Sequence, residues 1–227
     1  MEGQEKLRAA SVLVVGAGGL GCPASLYLAA AGVGRLTLAD SDEVDLTNLQ
    51  RQILYRTDNV GTVKVEAARS ALNAINPDVT IVPLHERVKD FSNLVASTDV
   101  VLDCSDNFAT RHALNRACVA HRKPLVSGAA IRFDAQLMVF DLRDAKAPCY
   151  ACVFPEDLQV EEVQCSQMGV FAPLTGMAGA MQAMEAIKLL AGIGESLNGR
   201  MQILDAARAE WRSVRVKKDP ACRVCAR

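Results

Sequence analysis

Short apolar runs recur along the chain, and the segments between them place apolar residues at helical spacing. Residues 11–15, SVLVV, read as a buried β-strand, followed at once by GAGGLG and by the helix-forming PASLYLAAAG. A second apolar run over 35–39 closes a first βαβ unit and ends at Asp40. The pattern then repeats: a helix over 64–75, a strand over 79–84, a strand over 99–103 and a helix over 107–120, with Asp106 or Asn107 as its cap. Runs at 123–130 and 135–140 lie too close together for a helical crossover, which predicts an antiparallel pair added to a parallel sheet. Residues 171–191 predict a long Ala/Met-rich helix ended by glycine, with Met177, Met181 and Met184 on one face assigned to core packing. Runs at 201–204 and 211–216 predict a closing hairpin. With no repeat, low-complexity tract or linker, the expectation is one α/β domain over 1–227, Rossmann-like and doubly wound, its mostly parallel mixed sheet extended by antiparallel strands.

Composition narrows the functional classes. Half of the 227 residues are hydrophobic, ample for one core. With Lys+Arg 25 against Asp+Glu 26, the net charge of -1 supplies no bulk attraction to nucleic acid or acidic membranes, so neither is expected as a partner. The start, MEGQEKLRAA, is polar, and no apolar run approaches the ~20 residues needed to span a bilayer, which points to the cytoplasm. In that reducing setting the eight cysteines read as metal ligands, reactive thiols or buried apolar residues. Four of them form two CxxC pairs, Cys149 with Cys152 and Cys222 with Cys225, the spacing at which one turn aims two sulfurs at one Zn²⁺. A shared metal would clasp the C-terminal segment to the body. Cys22, Cys104 and Cys118 lie inside apolar or helical runs and read as core.

Gly16, Gly18 and Gly21 satisfy GxGxxG, and Gly19 adds a fourth glycine. Alone the motif could be a turn that permits close packing. Here it follows a strand, opens a helix and is completed by Asp40, a carboxylate placed to accept from ribose hydroxyls. No GxxxxGK[ST] is present. An NAD-dependent oxidoreductase would need a positioned acid or base for hydride transfer. The chain instead offers Arg51 in NLQRQ, Lys64 in VGTVKVE and Asp106 in CSDN, types that suit a triphosphate and its Mg²⁺, although each alone is equally a surface charge.

Taken together, VVGAGGLGCPAS, LADSDEVDLTNLQRQ, VGTVKVEAAR, LNAINP, VLDCSDN, PLVSGAAIR, PCYACVFP, MGVFAPLTGMAGAMQAMEAIKLL and CRVC closely resemble the MoeB/ThiF/HesA family, bacterial relatives of the ubiquitin-activating enzymes. The resemblance runs from about Gly3 to Cys225. It implies a homodimeric adenylyltransferase that activates the C-terminal glycine of a ubiquitin-like sulfur-carrier protein ending in Gly-Gly, as in molybdopterin or thiamine synthesis. It further implies ATP contacts at Gly19, Asp40, Arg51 and Lys64, with Asp106 near Mg²⁺ and Asn48 and Gln52 as second members of the NLQRQ motif. The four cysteines match the family's structural zinc. Cys165 matches a loop cysteine near the carrier tail that accepts acyl or sulfur groups in some relatives, and it reads equally as an ordinary loop thiol. Relatives usually carry, before GQEKL, a segment with an RYxRQ-like motif whose arginine reaches the partner subunit's ATP. Its absence here brings in a third alternative, a catalytically weak protein that docks the carrier.

Overall fold

The structure is a computed structural model, described here for residues 2–157 and 169–226. In chain order the elements are α1 (Glu2–Ala9), β1 (Ser11–Val15), α2 (Gly21–Ala30), β2 (Arg35–Ala39), α3 (Lys64–Ile75), β3 (Thr80–Leu84), α4 (Ser92–Ala96), β4 (Val100–Asp103), α5 (Phe108–His121), β5 (Leu125–Ile131), β6 (Asp134–Phe140), α6 (Tyr150–Val153), α7 (Ala172–Ala191), β7 (Arg200–Asp205) and β8 (Glu210–Arg215). Two 3-10 turns, Leu46–Asn48 and Thr57–Asn59, lie between β2 and α3.

The strands form one sheet in the order β3-β2-β1-β4-β5-β6-β7-β8. The five strands from β3 to β5 are parallel, and β6, β7 and β8 extend the sheet antiparallel, as the spacing of the apolar runs predicts. β1 shows why its sequence is apolar from Val12 to Val15. Val12 and Val14 pack into the layer built on α2, α3 and α7, while Leu13 and Val15 pack into the opposite layer with α4, α5 and α6. A strand covered on both faces has no position left for a polar residue.

Helix boundaries follow from local chemistry. Asn107 caps α5 by accepting from Thr110 N at 2.9 Å. α7 begins with Pro173 in its first turn and stops at Gly192, whose φ of 69° admits the left-handed turn. Gly179 lets α7 cross the start of α2 closely: a Cβ there would sit 2.2 Å from the Leu20 carbonyl oxygen.

One element lies beyond what the apolar pattern predicts, and one expectation needs correction. The polar N-terminal stretch is helical: α1 buries Leu7 and ties Gln4 Nε2 to Ala31 O at 3.0 Å, so one apolar residue and one polar anchor suffice to dock it. The methionine stripe is core only at Met181, which packs partly buried against the layer that holds α2 and α3. Met177 and Met184 are 45% and 47% exposed, because they fall outside the face that α7 turns to the body, which carries Leu174, Ala178, Gln182, Ala183, Glu185 and Ala186.

Candidate active site

At β1 the strand order reverses, with β2 leaving on one side and β4 on the other. The carboxyl ends of strands at such a point leave a crevice between diverging loops. A cleft of about 720 Å³ opens there, and Gly16, Gly18, Gly19, Asp40, Asn48, Arg51, Gln52, Lys64 and Asp106 all line it. Sequence separation of up to 90 positions is thus collapsed into one concavity. Gly21 is apart from the cleft wall. It is buried behind the loop, where a Cβ would meet the Gly16 carbonyl oxygen at 1.9 Å.

The glycine loop is held from behind. Its Ala17 carbonyl accepts from the Tyr55 hydroxyl at 2.7 Å and from the Cys22 thiol at 3.4 Å. Gly16 adopts φ 98°, a left-handed conformation that side-chain-bearing residues avoid. Asp40 closes the loop, its two carboxylate oxygens accepting from Ala17 N at 2.7 Å and Asp42 N at 2.9 Å. Each oxygen keeps a further acceptor site.

The cations come from the segment after β2, which supplies Arg51, and from the first residue of α3, Lys64. Asp42 O accepts from Lys64 N at 3.0 Å, and the Lys64 ammonium, nearly buried, pairs with Asp42 Oδ2 at 2.9 Å. Asn48 Oδ1 accepts from Arg51 Nη2 at 3.1 Å and from Gln52 Nε2 at 3.0 Å. That double contact orients the Gln52 amide and leaves its buried Oε1 without a donor among the described residues. An unsatisfied buried acceptor on a cleft wall suits a donor carried by a ligand. Asp106 is exposed beside Asn107, the cap of α5.

The four CxxC cysteines meet on the opposite face of the sheet. Their sulfurs all lie within 4.8 Å of one another. Cys149 Sγ lies 3.7 Å from Cys222 Sγ and 3.9 Å from Cys152 Sγ, and Cys152 Sγ lies 3.4 Å from Cys225 Sγ. Four thiolates at about 2.3 Å from Zn²⁺ define tetrahedral edges of about 3.8 Å, whereas a disulfide needs about 2.05 Å. The cluster therefore could hold a zinc ion, and its donor set leaves no open position for a catalytic water. Cys22, Cys104 and Cys118 are buried, as their apolar contexts predict. Cys165 lies outside the described residues.

The sequence profile of the ThiF family matches residues 1–224. The chain belongs to the ThiF family. This ThiF-family chain is 48% identical over 229 residues to the molybdopterin-synthase adenylyltransferase of Escherichia coli (strain K12), an alignment that takes in 99% of the chain and 90% of that protein. It is 47% identical over 230 residues to the adenylyltransferase and sulfurtransferase MOCS3 of Drosophila sechellia, where it spans 50% of the longer protein. Among solved structures, E. coli MccB with ATP superposes with a TM-score of 0.87 at 25% identity, covering 100% of this chain and 70% of that one.

Some cleft residues of this ThiF-family chain escape sequence reasoning. Asp42 was findable, since a lysine placed inside a cleft needs a counter-charge and ADSDEVD supplies carboxylates at short spacing. Arg111, which lines the cleft, donates from Nη2 to Ser105 O at 2.9 Å and lies 3.8 Å from the fully buried Asp103. In sequence it is one more arginine on a helix. Thr175 of α7 stands over Gly19, where an added Cβ would meet it at 3.1 Å, a proximity visible only after α7 folds back over 150 residues of chain.

Proposed function

We propose that this protein is an ATP-dependent adenylyltransferase that activates the C-terminal glycine carboxylate of a ubiquitin-like sulfur-carrier protein. The observation that carries the reading is the convergence of Arg51 and Lys64 with Asp40 at one glycine-loop cleft. The names of relatives aligned over nearly their full length support it. In the reaction, a carboxylate oxygen of the carrier attacks the α-phosphorus of ATP, the bond from that phosphorus to the β-bridging oxygen breaks, and acyl-adenylate and pyrophosphate form. The nucleophile is already ionised at neutral pH, so no general base is required. Catalysis then consists of alignment and charge neutralisation.

In this reading the glycine-loop amides approach the phosphates, with Gly16, Gly18 and Gly19 at the cleft and Gly21 supporting them. Asp40 accepts from the ribose hydroxyls. Arg51 and Lys64 neutralise the phosphates, Asn48 orients Arg51, and the Gln52 carbonyl accepts from the bound ligand. Asp106 is the carboxylate for Mg²⁺, which offsets phosphate charge when bound, and the four-cysteine cluster holds structural Zn²⁺. Cys165 is assigned to acyl or sulfur acceptance near the carrier tail. The chain 1–227 acts as one adenylation domain, works as a homodimer and resides in the cytoplasm. Among the described residues no helix is long and apolar enough to cross a membrane. An oxidoreductase reading leaves the paired cations without a task.

Pyrophosphate exchange tests the proposal. Exchange of labelled pyrophosphate into ATP should require a carrier ending in Gly-Gly and should disappear when the final glycine is deleted. Carrier-independent exchange, or preference for NAD over ATP in calorimetry, would overturn it.

A further inference from the structure

The four-cysteine cluster contains one polar contact that none of its ligands explains. Asn115, on α5, is fully buried. Its Oδ1 accepts from the backbone N of Tyr150 at 2.9 Å. Because that donor fixes which end of the amide carries oxygen, Nδ2 must face the other way, and it donates to Cys149 Sγ at 3.6 Å. A buried amide is costly unless both ends are used, and here the second end is used on sulfur. A thiolate is a far better acceptor than a thiol, so this contact strengthens when Cys149 ligates a metal. The same cluster draws backbone N–H donors as well, among them Cys149 N and Asp219 N, each 3.4 Å from Cys152 Sγ. These are backbone groups that any residue would supply. Outside the four cysteines themselves, Asn115 is the one side chain among the described residues that donates to a cluster sulfur.

Its placement on α5 adds a second link. α5 starts at the cleft, where its cap Asn107 and then Arg111 line the wall. One turn beyond Arg111, Asn115 reaches the cysteine cluster from the same helix. Through Tyr150 N the same amide holds α6, which carries Cys152, against α5. One side chain therefore holds a metal ligand and the helix that carries its CxxC partner.

We infer that Asn115 is a positioning residue for the metal, donating to the Cys149 thiolate and fixing α6 so that the first CxxC pair is set for coordination. This rests on the zinc reading above. The test uses full-length protein loaded with Co²⁺ in place of Zn²⁺, comparing wild type with Asn115→Leu, of similar size, and Asn115→Ala. Metal affinity is measured by chelator competition, together with the sulfur-to-cobalt charge-transfer band. Both variants should bind metal about 10- to 100-fold more weakly, and the band should shift to lower energy because a sulfur deprived of its N–H donor is more electron-rich. If Asn115 only fills space, the leucine variant keeps wild-type affinity and band position, and the inference fails. Should the leucine variant not fold, the alanine variant carries the same comparison. A wild-type protein that gives no thiolate-to-cobalt band removes the metal reading, and the inference with it. A normal wild-type band with unchanged variants removes the inference alone.

Discussion

Replacing Gly21 with alanine separates support of the glycine loop from contact with a ligand. The added Cβ would lie 1.9 Å from the Gly16 carbonyl oxygen and 2.9 Å from its carbon. An ordinary carbon-to-carbonyl contact is about 3.3 Å, so roughly 1.4 Å must open. The helix cannot retreat, because Cys22, Ala24 and Leu28 of α2 are fully buried and Gly179 of α7 already touches its start. Gly16 cannot retreat either, since the Cys104 backbone stands directly behind it. The strain therefore passes into the loop that lines the cleft. Overpacking of this kind costs about 1–3 kcal/mol, a melting shift of about 2–12 °C for a chain of this size. A displacement near 1 Å at the loop should lower ATP affinity and exchange rate by roughly 10²-fold.

Gly18→Ala is the control. Its Cβ would meet only Gln52 Nε2, at an ordinary 3.6 Å. Stability should stay within about 0.5 kcal/mol of wild type, although the methyl group now stands on the cleft wall. Calorimetric ATP titration and urea unfolding on both variants read the two quantities separately. A Gly21→Ala protein that binds ATP within twofold of wild type would refute the account of the loop as a shape held from behind.

Three other outcomes are expected. Lys64→Met should reduce pyrophosphate exchange by about 10²–10³-fold, the scale for removing one preorganised charge contact; its Asp42 partner is 66% exposed, so the melting temperature should barely change, and a large stability loss would count against a catalytic role. Cys222→Ser, or treatment with a chelator, should lower the melting temperature with release of one zinc per chain by elemental analysis, since binding energy of a closed site is folding energy; retention of full stability without metal contradicts the clasp. Burial pushes the Cys22 thiol up to about 12, which leaves about 10⁻⁴ of it as thiolate at pH 8. Burial likewise raises Cys104 and Cys118. Native protein should resist iodoacetamide at all three and react once denatured, as mass spectrometry of the peptides would report; rapid native labelling of Cys22 is incompatible with its packing.

What was legible in the sequence divides along a physical line. β1 and β4 announced themselves because a strand covered on both faces tolerates almost no polar residue, and the glycine loop because its conformation excludes other residues from Gly16. Asp40 was readable from its distance to that loop, and the CxxC pairs from the reach of one turn. These signals are local: the constraint and the residue that meets it lie within a few positions or one βαβ unit. The residues that escaped are those whose constraint is supplied by another element. Asn115 looks like a polar residue in an otherwise ordinary helix until Tyr150 and Cys149 stand on either side of its amide. Gln182 is similar: on α7, fully buried, it donates to Asp103 O at 2.7 Å and Val126 O at 3.2 Å, joining β4 to β5 beneath the cleft. The methionines misled for the converse reason. Hydrophobicity says that a side chain can be buried, whereas the turn of the helix decides which face meets the body, and α7 turns Leu174, Ala178, Gln182 and Ala186 inward while Met177 and Met184 fall on the outer face. Buried polar residues in apolar helices, and small residues beside larger apolar ones, are therefore where a sequence of this fold hides the contacts that hold its site.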